Sequence, residues 1–209
     1  ALWYRLGLLK ERKLEDPNGA LKAYKNAVSC DPSAVPVSEA VARVMLAAGK
    51  TKQLIKFWES MLEGVSDATT QVSIRFRMGE IAESGLSDLN LAKGFYESIL
   101  QDHDPHFMPA LESLQRVYRK FSEWEKLAGV FETLADLSEA PADKAQHLTR
   151  AGNVCRYESK NLERASVYYK RALDIVPGYA NALEEYLDLL ESGQEWVALA
   201  DALCHAAEN

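Results

Sequence analysis

One short pattern returns six times along the chain, and this recurrence limits the possible folds more than any other feature. In each copy a small or aliphatic residue is followed, one turn of helix later, by a large or apolar side chain. The first residues of the six copies are Ala20, Leu54, Ala92, Leu127, Ala165 and Leu199. Their spacings of 34, 38, 35, 38 and 34 residues predict a repeat protein, in which each unit buries its apolar side against its neighbours.

The spacings alternate, and this alternation indicates a second, longer period. Taken in pairs they give 72, 73, 73 and 72 residues, which we interpret as duplication of a unit of two repeats. Odd-numbered repeats are expected to carry one extra residue between their two helices, with Asp16, Asp88 and Asn161 as helix-capping residues. In an even-numbered repeat, residues 122–125 read Ser-Glu-Trp-Glu, which is typical of a capping box.

The composition favours helices over strands. The chain contains 11 glycines and 7 prolines, and runs of alternating β-branched residues are scarce. The prolines fall where helices would begin or end, as at Pro17, Pro32, Pro105 and Pro177. Because each repeat of this length has room for a helical hairpin, these features predict an all-α fold of about twelve antiparallel helices.

The most complete copy of the pattern lies in the first repeat. Residues 3–7 read Trp-Tyr-Arg-Leu-Gly, and Ala20, Tyr24, Ala27 and Pro32 follow. This segment resembles the tetratricopeptide repeat, a helix–turn–helix unit of about 34 residues, and the pattern recurs clearly in the third and fifth repeats. The resemblance implies a right-handed α-α superhelix, a solenoid of antiparallel helix pairs, and a long bacterial array of such repeats as the source of this chain.

Six such repeats would make the whole chain, residues 1–209, a single solenoid. The predicted repeats are 1–33, 34–66, 67–105, 106–140, 141–177 and 178–209. Gly7, Gly79 and Gly152 stand late in the first helices of the odd-numbered repeats, and we expect them to let the second helices approach closely. The rings of residues such as Tyr24 and Tyr96 would then fill the remaining space.

Charge and cysteine usage exclude several classes of protein. The chain carries 24 Lys and Arg against 31 Asp and Glu, a net charge of −7, which weighs against nucleic-acid binding. No stretch approaches the roughly 20 apolar residues of a membrane span. Cys30, Cys155 and Cys204 are an odd number of distant cysteines, which argues against a disulfide framework and favours a reducing, cytoplasmic compartment.

The residue types that carry chemistry do not form a recognisable catalytic or metal-binding set. His103 and His106 offer only two imidazoles, in a predicted loop, and no further His or Cys lies near them in the sequence. His147 and His205 lie in separate repeats without a partner at regular spacing, and Cys155 falls at a packing position of a first helix. We therefore expect no catalytic residue, no cofactor and no metal, although a helical hydrolase or transferase stays a third, less favoured class.

The resemblance implies a binding surface. In tetratricopeptide-repeat proteins the first helices line a concave groove, and residues around the packing glycine project into it. On this basis the predicted partner-binding residues are Arg43, Phe76, Arg116, Arg119, Lys120, Asn153, Arg156 and Tyr157. Most of them form a basic patch with a ring beside it, which points to an acidic partner. The alternatives are a solvated face, or pairing of Arg156 with the acids of the sixth repeat.

The resemblance therefore implies a non-enzymatic scaffold that binds a protein or peptide segment in its groove. The alternative is an architectural or substrate-recruiting arm of a larger protein whose activity lies elsewhere. Val197, Ala200, Leu203, Cys204 and Ala207 would leave an apolar face on the last helix. That face predicts packing against a further helix, or self-association through a second copy.

Overall fold

A computed structural model of the chain describes residues 1–208. It contains twelve α-helices and one π-helical turn, Val154–Glu158, and the described residues form no strand, as the sequence predicts. The helices are α1 Leu2–Arg12, α2 Pro17–Cys30, α3 Val35–Ala47, α4 Thr51–Leu62, α5 Ala68–Gly85, α6 Leu89–Asp102, α7 Met108–Phe121, α8 Trp124–Leu137, α9 Pro141–Asn153, α10 Leu162–Ile175, α11 Ala180–Ser192 and α12 Trp196–Glu208.

The chain divides into two compact units, the first comprising residues 1–110 and the second beginning at Leu111. In the first unit α1 packs on α2 and α5 on α6, and in the second unit α9 packs on α10. Each of the six predicted repeats contains two α-helices. Asn209, the last residue of the sixth predicted repeat, lies outside the described residues. The number of repeats and their union in a single solenoid stay predictions.

The turns between the two helices of each pair share one backbone feature. One residue in every such turn has a left-handed φ, between 49° and 67°, and these residues are Glu15, Gly49, Ser87, Ser122, Lys160 and Gln194. Their spacings of 34, 38, 35, 38 and 34 residues are those of the sequence pattern. The backbone thus has the same period as the side chains. Five of these six residues are not glycine, so their Cβ atoms make the left-handed conformation slightly unfavourable.

The extra residue expected in the odd-numbered repeats lies in this turn. In the first repeat the N–H of Asp16 donates to the carbonyl of Lys10, six residues earlier, whereas in the second repeat Lys50 donates to Met45, five residues earlier. The other odd and even pairs follow the same two patterns. The sequence prediction of an alternating turn is therefore confirmed.

The predicted caps are confirmed in the odd-numbered repeats only. The side chains of Asp16, Asp88 and Asn161 each accept a hydrogen bond from the N–H three residues later, at 2.8 to 3.0 Å. The capping box expected at residues 122–125 is wrong. Ser122 takes the left-handed turn position and Glu123, the N-cap of α8, makes no side-chain cap bond, because this turn is one residue shorter.

The packing role predicted for the three glycines is confirmed. A Cβ atom on Gly7, Gly79 or Gly152 would lie 2.2, 2.3 or 2.5 Å from the Cε1 atom of Tyr24, Tyr96 or Tyr169, respectively. All three rings are fully buried. A side chain at these positions would therefore displace the ring that joins the two helices of the pair.

Candidate functional site

A hollow lies next to Phe76 in the first unit, between α5 and the segment that connects α6 to α7. It encloses about 590 Å³ and its apolar wall is formed by Val72, Phe76 and Phe107. The rings of Phe76 and Phe107 meet edge to face with centroids 5.5 Å apart, and Phe76 also contacts the ring of Tyr96 at 5.6 Å. Phe76 and Phe107 are half-buried, so each ring still offers apolar surface to a ligand.

Polar groups border the Phe76 hollow. Arg77 forms an ion pair with Glu39 at 3.3 Å, and Glu80 is exposed one turn away. The lining also includes Asp104 and His103, whose Nε2 atom is buried without a hydrogen-bond partner among the described residues. An apolar floor with such a rim is suited to an apolar side chain whose flanking peptide groups hydrogen-bond at the edge.

Arg43 is already held by an acid of the first repeat. Its Nε and Nη2 atoms donate to the two carboxylate oxygens of Glu11 at 2.9 and 2.7 Å, and the hydroxyl of Tyr24 donates to the same carboxylate at 2.6 Å. The hydrogen bond from Arg43 lowers the pKa of Glu11 below its ordinary value. A predicted partner-binding residue thus joins α1, α2 and α3 within the first unit.

Arg156 and Tyr157 are positioned by the π-helical turn that follows α9. Arg156 Nη1 donates to the backbone carbonyl and the carboxylate of Glu185 at 2.9 Å each, and Nη2 bonds the carboxylate of Asp188. The Tyr157 hydroxyl donates to Glu185 at 2.6 Å, and this bond raises the pKa of Tyr157. The pairing of Arg156 with acids of the sixth repeat, one of the alternatives from the sequence, is therefore present.

Asn153 lies beside a second, polar cavity. Its Oδ1 atom accepts a hydrogen bond from the buried Tyr169 hydroxyl at 2.7 Å. The cavity encloses about 310 Å³ between α9 and α11, and its lining includes Arg150, Asn153, Tyr179 and Glu184. Because both charges and amides face this space, it favours polar rather than apolar ligand groups.

The three remaining basic residues lie on α7. Arg116, Arg119 and Lys120 are all exposed, and the last two stand in the final turn of the helix. Within residues 1–208, Arg119 and Lys120 make no ion pair. These two cations are thus available to a ligand, which Arg43 and Arg156 are not.

The two engaged arginines reveal a charge reversal that sequence reasoning missed. Glu11 and Arg156 occupy equivalent positions in the first helices of the first and fifth repeats, and Arg43 and Asp188 occupy equivalent positions in the repeats that follow. The acid–base pair of the first two repeats is therefore a base–acid pair in the last two. A comparison of the charges at equivalent positions of the first helices would have revealed it. Phe107 and Val72 were missed as well, because neither belongs to the repeat signature.

The described residues offer no arrangement typical of a metal or nucleophilic site. No group of three or more His, Cys, Asp or Glu side chains in residues 1–208 could hold a metal ion. Cys155 is buried, and burial raises the pKa of its thiol, which disfavours the reactive thiolate. His147 stacks on Phe131 with ring centroids 6.4 Å apart, and burial lowers its pKa.

No helix in the described part of the chain is both long and apolar enough to cross a membrane. No protein-family model matches the sequence, and no curated protein matches it.

Solved structures show what class of protein this is: an all-α protein built from stacked helical hairpins. The chain is similar to a tetratricopeptide repeat protein from Parabacteroides merdae, with a TM-score of 0.50 and 14% identity over 98% of this chain and 78% of that one. It has the tetratricopeptide-repeat fold.

Two further structures are similar at lower scores. YrrB, described as a TPR protein with an unusual peptide-binding site, gives a TM-score of 0.47 and 18% identity over 88% of this chain and 89% of that chain. The TPR2AB domain of yeast Sti1, solved in complex with pHSP90, gives 0.40 and 15% identity over 98% and 88%.

Proposed function

We propose that this protein is a non-enzymatic scaffold whose first-helix face binds a segment of another protein. The observation that carries the proposal is the hollow of about 590 Å³ beside Phe76, with its half-buried rings and polar rim. An apolar side chain of the partner would pack on Phe76 and Phe107. Its backbone would run along the rim, where Glu80 and Asp104 offer acceptors.

The magnitudes favour an apolar anchor over charge alone. Each exposed ion pair contributes about 0–1 kcal/mol, whereas a micromolar complex requires about 8 kcal/mol. Burying one large apolar side chain supplies about 1.5–3 kcal/mol. A partner segment therefore needs the Phe76 hollow together with several weaker contacts.

The basic residues of α7 give the same scaffold a second kind of contact. Arg119 and Lys120 are exposed cations, and we propose that they attract an acidic segment of the partner. The combined variant Arg119→Glu and Lys120→Glu should weaken an acidic peptide, and added salt should weaken it further, since exposed charges are screened beyond about 10 Å at 0.1 M salt. Affinity that survives both changes would show that these residues are only a solvated face.

The test of the Phe76 hollow begins with short random peptides displayed on phage and selected against the intact chain. The enriched peptide is then synthesised with a fluorescent label and titrated by fluorescence anisotropy. Ser73 is exposed and lines the hollow, so Ser73→Trp should fill it and weaken binding about tenfold or more.

The matched control is Ser29→Trp, the same substitution at an exposed site of α2 that does not line the hollow. It should leave the affinity unchanged. Equal affinities for the wild type and Ser73→Trp would contradict the proposed site, provided that circular dichroism shows the same helix content in both.

A further inference from the structure

A second surface lies between the second helices of two consecutive pairs, and none of its lining residues belongs to the Phe76 hollow. Between α4 and α6 a groove of about 550 Å³ is open; we name it the α4–α6 groove. Its apolar part is formed by Leu62, Met78, Leu91 and Phe95. All of these residues belong to the first unit.

The equivalent space between α8 and α10, in the second unit, is bridged by side chains of these two helices, and in this sense we call it the closed groove. Glu132 of α8 accepts a hydrogen bond from the Tyr168 hydroxyl at 2.9 Å and forms an ion pair with Arg171. A second ion pair, between Arg164 and Glu125, joins the same two helices. The two acids of α8 thus have their hydrogen-bond and ion-pair partners on α10.

The repeat register shows what the α4–α6 groove lacks. Glu59 stands five residues after Leu54, just as Glu132 stands five residues after Leu127. On the facing helix the position of Tyr168 is taken by Phe95, and the position of Arg171 by Ser98. The hydroxyl and the guanidinium are therefore absent, and within the described residues Glu59 makes no hydrogen bond or ion pair.

Two other second helices, α2 and α10, carry a lysine at the position of Glu59. Between α2 and α4, Lys25 occupies the position of Glu59 and its Nζ lies 5.3 Å from the centroid of the Phe57 ring. Beside α10, Lys170 occupies the same position, with its Nζ 5.6 Å from the Tyr186 ring. Among the residues that line the α4–α6 groove the one cation is Arg75, and it donates to Gln71 at 2.9 Å.

The backbone of α6 is accessible in this groove because of Gly94. This residue lies in the interior of α6 and lines the groove, and a Cβ atom placed on it would meet nothing within 4 Å. A glycine inside a helix costs about 1 kcal/mol relative to alanine. Close approach of a ligand to the backbone is one use that offsets this cost.

We propose that the α4–α6 groove binds a segment of another protein that presents an Arg or Lys side chain next to an apolar one. The cation pairs with Glu59 and Glu63 on the rim, in the place that Arg171 takes in the closed groove. The apolar side chain packs on Leu62 and Phe95.

The lining of the α4–α6 groove carries two acids against one cation, Arg75, which already donates to Gln71, and its floor is apolar. This combination favours such a ligand over an acidic or purely polar one. This site is separate from the Phe76 hollow, and each can fail without the other.

The probe is a capped hexapeptide, Gly-Arg-Leu-Phe-Arg-Gly, titrated into the ¹⁵N-labelled intact chain and followed by NMR. We expect saturable shifts of the amides of Gly94, Phe95 and their neighbours. The same peptide with glutamate in both arginine positions should produce no saturable shift there. Equal shifts with both peptides, or shifts confined to other residues, would overturn the proposal.

Two variants separate the groove from general charge attraction. Phe95→Tyr with Ser98→Arg rebuilds the contacts of the closed groove and should weaken the arginine peptide about tenfold or more. Gly94→Phe fills the groove sterically and should do the same. The control Val167→Phe changes the equivalent exposed position of α10, outside the groove, and should bind as the wild type does. Unchanged affinity in a folded Gly94→Phe variant would contradict the site.

Discussion

The ring of Tyr96 occupies the space that a side chain on Gly79 would need, with its Cε1 atom 2.3 Å from the position of a Cβ. The pairs Gly7–Tyr24 and Gly152–Tyr169 repeat this relationship. The glycine and the tyrosine thus form one packing unit, which recurs in the three odd-numbered repeats and joins the first helix of a pair to the second.

This relationship predicts opposite effects of one substitution at two helical glycines. Gly79→Ala gains about 1 kcal/mol of helix propensity but forces the fully buried Tyr96 ring to move, and overpacking of this kind costs about 1–3 kcal/mol or more. We expect a net decrease in the free energy of unfolding. Gly94→Ala, where the added Cβ meets open space, should raise it by about 1 kcal/mol.

Urea unfolding followed by circular dichroism measures both effects. The order of stability should be Gly94→Ala, then wild type, then Gly79→Ala. A Gly79→Ala variant as stable as the wild type would show that the ring can be repacked and that the glycine is not required.

The reversed ion pair predicts a rescue experiment. Arg156 has a side chain that is only 10% exposed, so Arg156→Glu places an acid beside Glu185 and Asp188. Breaking a buried pair costs about 3–5 kcal/mol; because Asp188 is 66% exposed, we expect a smaller loss of about 2 kcal/mol. Adding Asp188→Arg restores the polarity of the Glu11–Arg43 pair and should recover part of that loss.

A double-mutant cycle by urea unfolding gives the coupling energy between positions 156 and 188. A double variant that is less stable than Arg156→Glu alone would contradict the equivalence of the two ion pairs.

Tyr24 predicts a loss of stability at alkaline pH. Burial raises the pKa of its hydroxyl, and the hydrogen bond to Glu11 raises it further, whereas an unfolded tyrosine has a pKa of about 10. The pKa of Tyr24 is therefore higher in the folded than in the unfolded state. The stabilisation that its protonated hydroxyl provides is complete below about pH 10 and is lost as the pH rises above that value.

Urea midpoints of the wild type and Tyr24→Phe, measured between neutral and strongly alkaline pH, isolate the contribution of this residue. The variant should be less stable by about 1 kcal/mol at neutral pH, and the difference should shrink as the pH rises above about 10. A constant difference across the range would show that Tyr24 titrates normally in the folded protein.

The last helix predicts concentration-dependent association. Val197 and Leu203, on the apolar face expected for α12, are 79% and 49% exposed. Sedimentation velocity should show association that increases with concentration, and Val197→Asp should abolish it. The control is Val167→Asp, at a site of α10 that is 53% exposed. A wild type that is monomeric at all concentrations would contradict self-association through this face.

The repeat period, the packing glycines and the odd-numbered caps were predictable because each depends on residue types at fixed local spacing. The ion-pair partners were predictable only in part. The sequence offered the pairing of Arg156 with acids of the sixth repeat as one alternative, but it gave no partner for Arg43, which pairs with Glu11 of the first repeat. Whether an exposed arginine reaches an acid depends on distances between helices, and these are set only when the hairpins pack.

The Phe76 hollow was only half predictable for the same reason. Phe76 stands three residues before the packing glycine Gly79, and the repeat pattern therefore predicts that it projects from the first helix into the groove. Phe107, which forms the other wall, follows α6 in a connecting segment that has no periodic signal. The α4–α6 groove required a comparison of side chains between repeats after their contacts were known, since Glu59 differs from Glu132 only in its surroundings.

The most direct test of the central claim, that the first-helix face is the binding surface, uses the peptide selected on phage with a nitroxide label at its centre. Bound to the ¹⁵N-labelled intact chain, the label should broaden the amide signals of Val72, Ser73 and Phe76 on α5 most strongly. Unlabelled peptide should restore them by competition. Broadening confined to the second helices, or its absence from α5, would contradict the account.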